Sequence, residues 1–251
     1  MSFSKLHKDS NDSASSQLDL FATPFTQTSI LNGDWVELGP IRDSTNGPLE
    51  FEIESTDDQY LDLQNTLITL QCKVLKSNGA ALGEGNGLTI MPSTYFLHSL
   101  FSTVSVTING HEVEYESNYP YRAYLESLVN YSAEAKRTHL SMSLWHDDKG
   151  GVIDTDGIVD GNKALFKPRK DLVAKSRTLD MIGRFHSDLF HQHKYLPPSC
   201  KVSVKLIRSD PKFCLQKTAS NDNDEYKVDI IRCELLVRKV KVNPGVITKH
   251  N

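Results

Sequence analysis

From residue 48 to residue 242 the chain returns to one pattern: apolar and polar residues alternate for five to eight positions, and turn-forming residues then break the run. Side chains on a strand point to opposite faces in turn, so each such run reads as a strand with one buried face. Leu49, Phe51 and Ile53 alternate with Glu50, Glu52 and Glu54, and Ile68, Leu70, Cys72 and Val74 alternate with Thr69, Gln71 and Lys73 until Ser77-Asn78-Gly79 turns the chain. Val104, Val106 and Ile108 lead into Asn109-Gly110, a two-residue hairpin signal, because both residues accept the positive φ that the tight hairpin turn demands. On the return, His111, Val113 and Tyr115 alternate with Glu112, Glu114 and Glu116, whose acidic face reads as solvated or as protection of a sheet edge. Leu179 and Met181 lead through Gly183 to Phe185, and Cys200, Val202, Val204 and Leu206 follow Pro197-Pro198, where a strand begins rather than continues. The last run changes parity between Ile230 and Ile231, which predicts a β-bulge.

Helical spacing interrupts this pattern in few places. Phe96, Leu97, Leu100 and Phe101 suit one helical turn. Tyr121, Leu125 and Leu128 predict a helix that ends near Tyr131, and Ser132 is the N-cap expected for a second helix from Ala133 to about Leu144. The predicted organisation is a flexible arm over 1–17, an extended docking segment over 18–47, a jelly-roll domain over 48–243, and a tail or the start of a second domain over 244–251. Within the domain lie a helical insertion at 119–145 and an acidic Gly-rich loop at 147–162. The docking segment carries Phe21, Phe25 and Trp35, interrupted by Pro24 and Asn32-Gly33, and reads as an extended arm that docks on its own domain or on a neighbouring subunit, followed by a turn and a short strand into Trp35, Val36 and Leu38. The expected fold class is all-β: an antiparallel jelly-roll sandwich of about eight strands with a short helical insertion.

Charge and motifs narrow the chemistry. The 251 residues carry 28 Lys+Arg against 32 Asp+Glu, a net charge of −4, which argues against a protein that coats nucleic acid. No apolar run approaches the roughly 18 residues that span a bilayer, and the first residues lack the apolar stretch of a secretory signal. Cys72, Cys200, Cys214 and Cys233 form no C-x-x-C pair and read as free thiols. Nucleophile-elbow and phosphate-loop motifs are absent. Asp154, Asp156, Asp160 and Asn162 resemble part of a calcium loop, but Leu165 stands where the closing glutamate belongs. Arg238, Lys239 and Lys241 read as a solvated strand face.

One stretch, His186-x-Asp188-x-x-His191-x-His193, has residue types that suit zinc or iron. Phe185, Leu189 and Phe190 interrupt it, and no cupin-type glycine framework accompanies it, so the reading is hydrogen-bonded or surface histidines and no cofactor. A metal-dependent, cupin-like jelly-roll enzyme is the competing reading, and a glycan- or receptor-binding jelly roll with Trp145 and the tyrosines as stacking platforms is a third.

Five segments stand together in order: DLFATPFTQTSILNGDWVEL (19–38), YLDLQNTLITLQCKV (60–74), FLHSLFSTVSVTINGHEVE (96–114), NYPYRAYLESLVNYSAEAKRTHL (118–140) and RFHSDLFHQHKYLPPSCKVSVKLIRSDPKFCL (184–215). They resemble the amino-terminal half of the hexon-type major capsid protein of Polinton/Maverick elements and the related adintoviruses, with LHSLFSTVSVTING followed by YPYRAYLESL as the most specific part. The resemblance implies the first jelly roll of a double jelly-roll capsid protein. It implies trimeric, pseudo-hexameric capsomers, a minor (penton) capsid protein as partner, a place in the virion after assembly inside the host cell, no catalysis and no membrane span. Members of that family are about twice this length. A single jelly-roll penton protein is the alternative within the class. The interface residues expected on this reading are Tyr121, Tyr124, Tyr131 and Trp145 of the helical insertion, with Phe21, Phe25 and Trp35 of the arm; the competing account is that the aromatics of the insertion cover the open end of their own jelly roll.

Overall fold

Alternation of buried and half-buried residues organises the chain into strands, which pair into two facing sheets. The structure, a computed structural model, describes residues 26–41, 47–84, 88–148, 163–219 and 222–250. Its strands are β1 (Ile30–Leu38), β2 (Leu49–Ile53), β3 (Gln59–Lys76), β4 (Ile90–Pro92), β5 (Phe101–Ile108), β6 (His111–Glu116), β7 (Leu179–Arg184), β8 (Val202–Arg208), β9 (Leu215–Lys217) and β10 (Tyr226–Val242). Its α-helices are α1 (Phe96–Ser99), α2 (Tyr119–Asn130), α3 (Ala133–Arg137), α4 (Lys163–Val173), α5 (Pro211–Cys214) and α6 (Pro244–His250). One sheet has the order β1-β10-β3-β7, the other β2-β8-β5-β6, and β4 pairs with β9 in a separate ribbon. Every pairing is antiparallel. Early and late strands lie side by side in both sheets, which is the jelly-roll arrangement. Phe51, Val104, Val106, Val204 and Leu206 from one sheet and Ile68, Leu70, Cys72, Leu235 and Val237 from the other are buried in one continuous core.

Local chemistry explains the joints. Asn109 and Gly110 both have positive φ, 51° and 80°, as the tight β5–β6 hairpin requires. The register of β10 against β3 shifts between Ile230 and Arg232, at the expected bulge, and again between Leu236 and Arg238. The first shift turns Ile231 outward and keeps both Ile230 and Cys233 toward the core.

Several expectations are corrected. Asn32-Gly33 does not turn the chain: β1 runs through it and pairs with β10, so the sandwich begins at Ile30 rather than at residue 48. At Gly33 a Cβ would lie 3.3 Å from Nη2 of Arg238, close enough that the guanidinium, which sits 5.6 Å from the Trp35 ring, would have to shift slightly. The second predicted helix stops at Arg137. Ser132 does cap it, accepting from the Ala135 N–H at 3.3 Å, but the Thr138 hydroxyl bonds back to the Glu134 carbonyl at 2.9 Å, and the chain continues as a 3-10 turn over His139–Ser143. Helix α4 has no plain signal in the sequence: its buried stripe of Phe166, Arg169, Lys170 and Val173 has helical spacing, but two cations stand in it and Pro168 lies inside the helix. Within β6, Val113 and Tyr115 are exposed while Glu114 and Glu116 are half-buried, the reverse of a solvated acidic face. Phe21, Phe25, the arm over 1–17 and most of the 147–162 loop lie outside the described residues.

Gly183 in β7 marks the tightest joint between the sandwich and its cap. A Cβ there would lie 2.6 Å from Ser143 Oγ, 2.8 Å from Leu97 Cδ2 and 3.1 Å from His98 Nε2. Replacing Gly183 with Ala should therefore cost about 1–3 kcal/mol through overpacking, read as a lower urea midpoint at unchanged m-value. An unchanged midpoint would show that the joint yields freely.

Candidate functional site

Helix α2 has two apolar sides. Tyr119, Ala123 and Ser127, spaced four apart, are buried against the domain, whereas Tyr121, Leu125, Leu128 and Val129 form a stripe toward solvent. Leu125 is 59% exposed and Val129 83%. Tyr121 meets the half-exposed Phe213 of α5 edge-on, with ring centroids 5.7 Å apart, so the stripe continues onto a second element. Beneath the helix, Tyr95, Ala123, Leu140 and Trp145 make a small core of their own. Tyr124 stacks on Trp145 at 5.1 Å and 16°, Tyr95 meets Trp145 edge-on at 5.0 Å, and Tyr131 is partly buried beside them. Of the four aromatics expected at an interface, Trp145 thus packs inside its own chain, Tyr124 and Tyr131 brace it, and Tyr121 faces out. Trp35, 46% exposed on β1, lies on the sandwich. The sequence reading missed Leu125, Leu128 and Val129 as surface residues, although their helical spacing with Tyr121 carries the signal.

The histidine segment leaves β7 and folds under α2. Phe185 is buried against Phe190, and a 3-10 turn follows over Asp188–Phe190. Buried His186 places Nδ1 2.8 Å from Glu126 Oε2 and Nε2 2.7 Å from the Tyr95 hydroxyl. His191 Nε2 lies 3.6 Å from the same Glu126 oxygen. Asp188 and His193 do not join them: Asp188 pairs with Arg122 at 2.5 Å, and His193 Nδ1 lies 3.1 Å from Gln64 Oε1. The structure thus splits the four candidates and supplies Glu126 from a helix 60 residues earlier. No local spacing announces that partner.

Arg122 ties the segment together. Besides Asp188 it pairs with Glu114 at 2.9 Å, Glu126 at 2.9 Å and Glu116 at 3.6 Å. Glu114 in turn accepts from the Ser187 hydroxyl and from the backbone N–H of Asp188 and Leu189. This is why the glutamates of β6 face inward. Burial by itself would raise the Glu126 carboxyl, but hydrogen bonds from His186 and Arg122 outweigh it and hold the pKa down at about 2. Burial lowers the pKa of His186, against the pull of Glu126, and lowers that of fully buried His98 further, with His186 beside it. The His98 ring rests on the Tyr119 hydroxyl at 2.8 Å.

A second polar staple holds the far side of the cap. The fully buried guanidinium of Arg169 donates to the Pro92 carbonyl at 2.7 and 3.0 Å, to Asp148 at 2.7 Å and to Gln216 at 3.2 Å, joining α4 to β4, β9 and the segment after Trp145. Burial raises the Asp148 carboxyl although Arg169 opposes it, and burial, then Arg169, push His146 down to about 4. A cleft of about 920 Å³ lies beside the β4–β9 ribbon. Its carboxylate Asp222 is already engaged by the hydroxyls of Thr89 at 2.6 Å and Tyr226 at 2.8 Å. Cys72, Cys214 and Cys233 are buried free thiols and Cys200 is half-buried. Burial pushes Cys214 and Cys233 up to about 12. The basic residues near the end of β10 are paired: Lys241 with Asp58 at 2.8 Å, and Lys239 with the Glu54 carbonyl at 2.5 Å.

The comparisons with known proteins agree with the topology. No family profile matches the chain. An uncharacterized protein of Caenorhabditis elegans is 23% identical over 232 residues, which are 89% of this chain and 52% of that one. Among solved structures, a chain of the Sputnik virophage superposes with a TM-score of 0.63 at 13% identity, covering 98% of this chain and 55% of the other. The Faustovirus major capsid protein gives 0.53 at 8% identity over 94% and 58%. A chain of the PBCV-1 virus capsid gives 0.50 at 13% over 91% and 46%. The chain therefore has the all-β jelly-roll fold of viral capsid proteins. It spans about half the length of each of these proteins. No helix among the described residues is long and apolar enough to cross a membrane.

Arg169→Met should destabilise the fold by about 3 kcal/mol in urea unfolding, because it leaves the Asp148 carboxyl and the Pro92 carbonyl without their buried partner. His146 makes a pH prediction. Its folded pKa of about 4 lies below the ordinary histidine value of 6.5, so the unfolded chain binds the extra proton between these limits. The contribution is full above pH 6.5 and is lost as pH falls toward 4. Asp148, raised by burial, works in the opposite direction at the lower end. His146→Gln should therefore reduce the stability lost between pH 7 and pH 5 by about 1 kcal/mol, allowing for partial exposure to solvent. Identical losses in both proteins would refute the assignment.

Proposed function

We propose that the chain is a structural capsid subunit: the first jelly roll of a double jelly-roll major capsid protein that builds trimeric, pseudo-hexameric capsomers. The observation that carries this reading is the sandwich of β1-β10-β3-β7 over β2-β8-β5-β6, together with a superposition on the Sputnik virophage chain that covers 98% of this chain but only 55% of the other. A match to about half of each capsid chain is what one of two jelly rolls would give, and it favours the double over the single (penton-type) arrangement. The likeness of residues 19 to about 242 to Polinton/Maverick and adintovirus capsid proteins supports the same reading.

In this reading the protein acts mechanically and makes no bonds. Its place is the capsid shell of the virion, assembled in the host cell beside a minor penton protein. The α2 stripe of Tyr121, Leu125, Leu128 and Val129 is the lateral contact, with Trp35 and the preceding arm residues Phe21 and Phe25 as a second one. Tyr124, Tyr131 and Trp145 hold the stripe in position. A closed symmetric ring repeats each contact, so a patch of this size suffices.

Light scattering and negative-stain electron microscopy of the purified chain test this. Self-association with trimers prominent is expected. The Leu125→Asp, Val129→Asp double variant should keep its melting temperature, because both side chains face solvent, and should assemble at least tenfold more weakly. A wild-type chain that stays strictly monomeric at high concentration would overturn the reading.

A further inference from the structure

We propose that Glu126, His186 and His191 form a three-ligand site for a zinc-class divalent cation, which pins helix α2 to the segment leaving β7. The three ligand atoms, Glu126 Oε2, His186 Nδ1 and one ring nitrogen of His191, all lie within 4.8 Å of one another. A tetrahedral ion with bonds of about 2.0–2.1 Å sets its ligand atoms about 3.3 Å apart. The distances from Glu126 Oε2 to the two imidazoles, 2.8 and 3.6 Å, bracket that value. Small shifts of the partly exposed Glu126 and His191 therefore complete the geometry.

The surroundings are those of a metal ligand set. Nε2 of His186 is fixed by the Tyr95 hydroxyl at 2.7 Å, so its ring is oriented from behind while Nδ1 faces the site. Glu126 uses its other oxygen, Oε1, for the Arg122 Nε at 2.9 Å, which leaves Oε2 for the ion. Arg122 is one guanidinium among four carboxylates, Glu114, Glu116, Glu126 and Asp188, so the local field favours a cation. His191 is about half exposed, which gives the ion an entry path and leaves room for a solvent ligand. Two imidazoles with one carboxylate select zinc-like ions over calcium or magnesium, which prefer all-oxygen shells. The ligands come from α2 and from the turn after β7, so the ion would cross-link the two segments that carry the cap. This inference does not depend on the capsid reading.

The test is calorimetric titration of EDTA-treated full-length protein with zinc chloride, with magnesium and calcium chloride in parallel, and melting curves with and without zinc. One zinc per chain is expected, with a melting temperature raised by several degrees and no comparable response to the other two ions. His191→Ala, which removes an exposed ring and should leave the circular dichroism spectrum unchanged, is expected to weaken zinc binding at least tenfold. His193→Ala should leave binding as it was, and Tyr95→Phe should weaken it about 10–100-fold through the lost orientation of His186. Absence of zinc binding, or equal affinity in wild type and His191→Ala, would overturn the proposal.

Discussion

The pairing of β10 with β3 is the constraint on which the other elements depend. These are the two longest strands, 17 and 18 residues, and they run antiparallel from Tyr226 opposite Lys76 to Lys241 opposite Gln59. Each also carries an edge strand: β1 exists only as a partner of β10, and β7 only as a partner of β3. The pair joins residues at least 150 positions apart, so the chain closes a long loop before it gains the contacts that reward closure. Two bulges let strands of this length follow the twist of the sheet while keeping their apolar sides on the core.

The same framework fixes the cap. Strand β7 is held on β3, so the chain always leaves it at Arg184 in one direction, and Phe185 and His186 turn into the space under α2. The β5–β6 hairpin presents Glu114 from the other sheet to the backbone N–H groups of Asp188 and Leu189. Arg122 then finds partners on β6, on α2 itself and on the 3-10 turn. The polar cluster is thus the meeting of three segments whose positions are set elsewhere. A charge so shared costs less to hold in place than an isolated pair, because one ordered guanidinium serves several carboxylates.

Much of the sandwich was legible because strand burial has a period of two and β-branched and aromatic residues mark it. Asn109-Gly110 and the parity change at Ile230 were local signals of local geometry, and both reappear in the structure. The readings that failed depended on partners distant in sequence. Asn32-Gly33 looks like a turn, but pairing with Arg238, Lys239, Val240 and Lys241 of the last strand keeps the chain extended there. The glutamates of β6 look solvated until Arg122 and the His186–Phe190 turn lie over them. The stripe of α4 contains Arg169, whose burial makes sense only with Pro92, Asp148 and Gln216 around it. The histidine cluster was half legible: the two rings that converge were named, but Glu126 had no spacing to betray it. Trp145 reads equally as a surface anchor or as a cover for the open end of its own domain, and its ring packs against Tyr95 and Tyr124 of its own chain.

Those inward aromatics are what give the outward face of α2 its meaning. On the proposed capsid reading, Leu125, Leu128 and Val129 are the side chains that would leave water when subunits meet. A flexible helix bearing such a stripe would also lose conformational entropy when it docked, and that loss would offset much of the gain. Here the helix is bolted down on its other side by Tyr119, Ala123 and Ser127, by the Tyr124–Trp145 stack and by the Arg122 and Glu126 contacts. The stripe is therefore presented in a fixed shape. On the proposed capsid reading, in which one contact would repeat around a ring, rigidity counts more than area: an angular error at one contact would recur at each of the others, and the ring would fail to close.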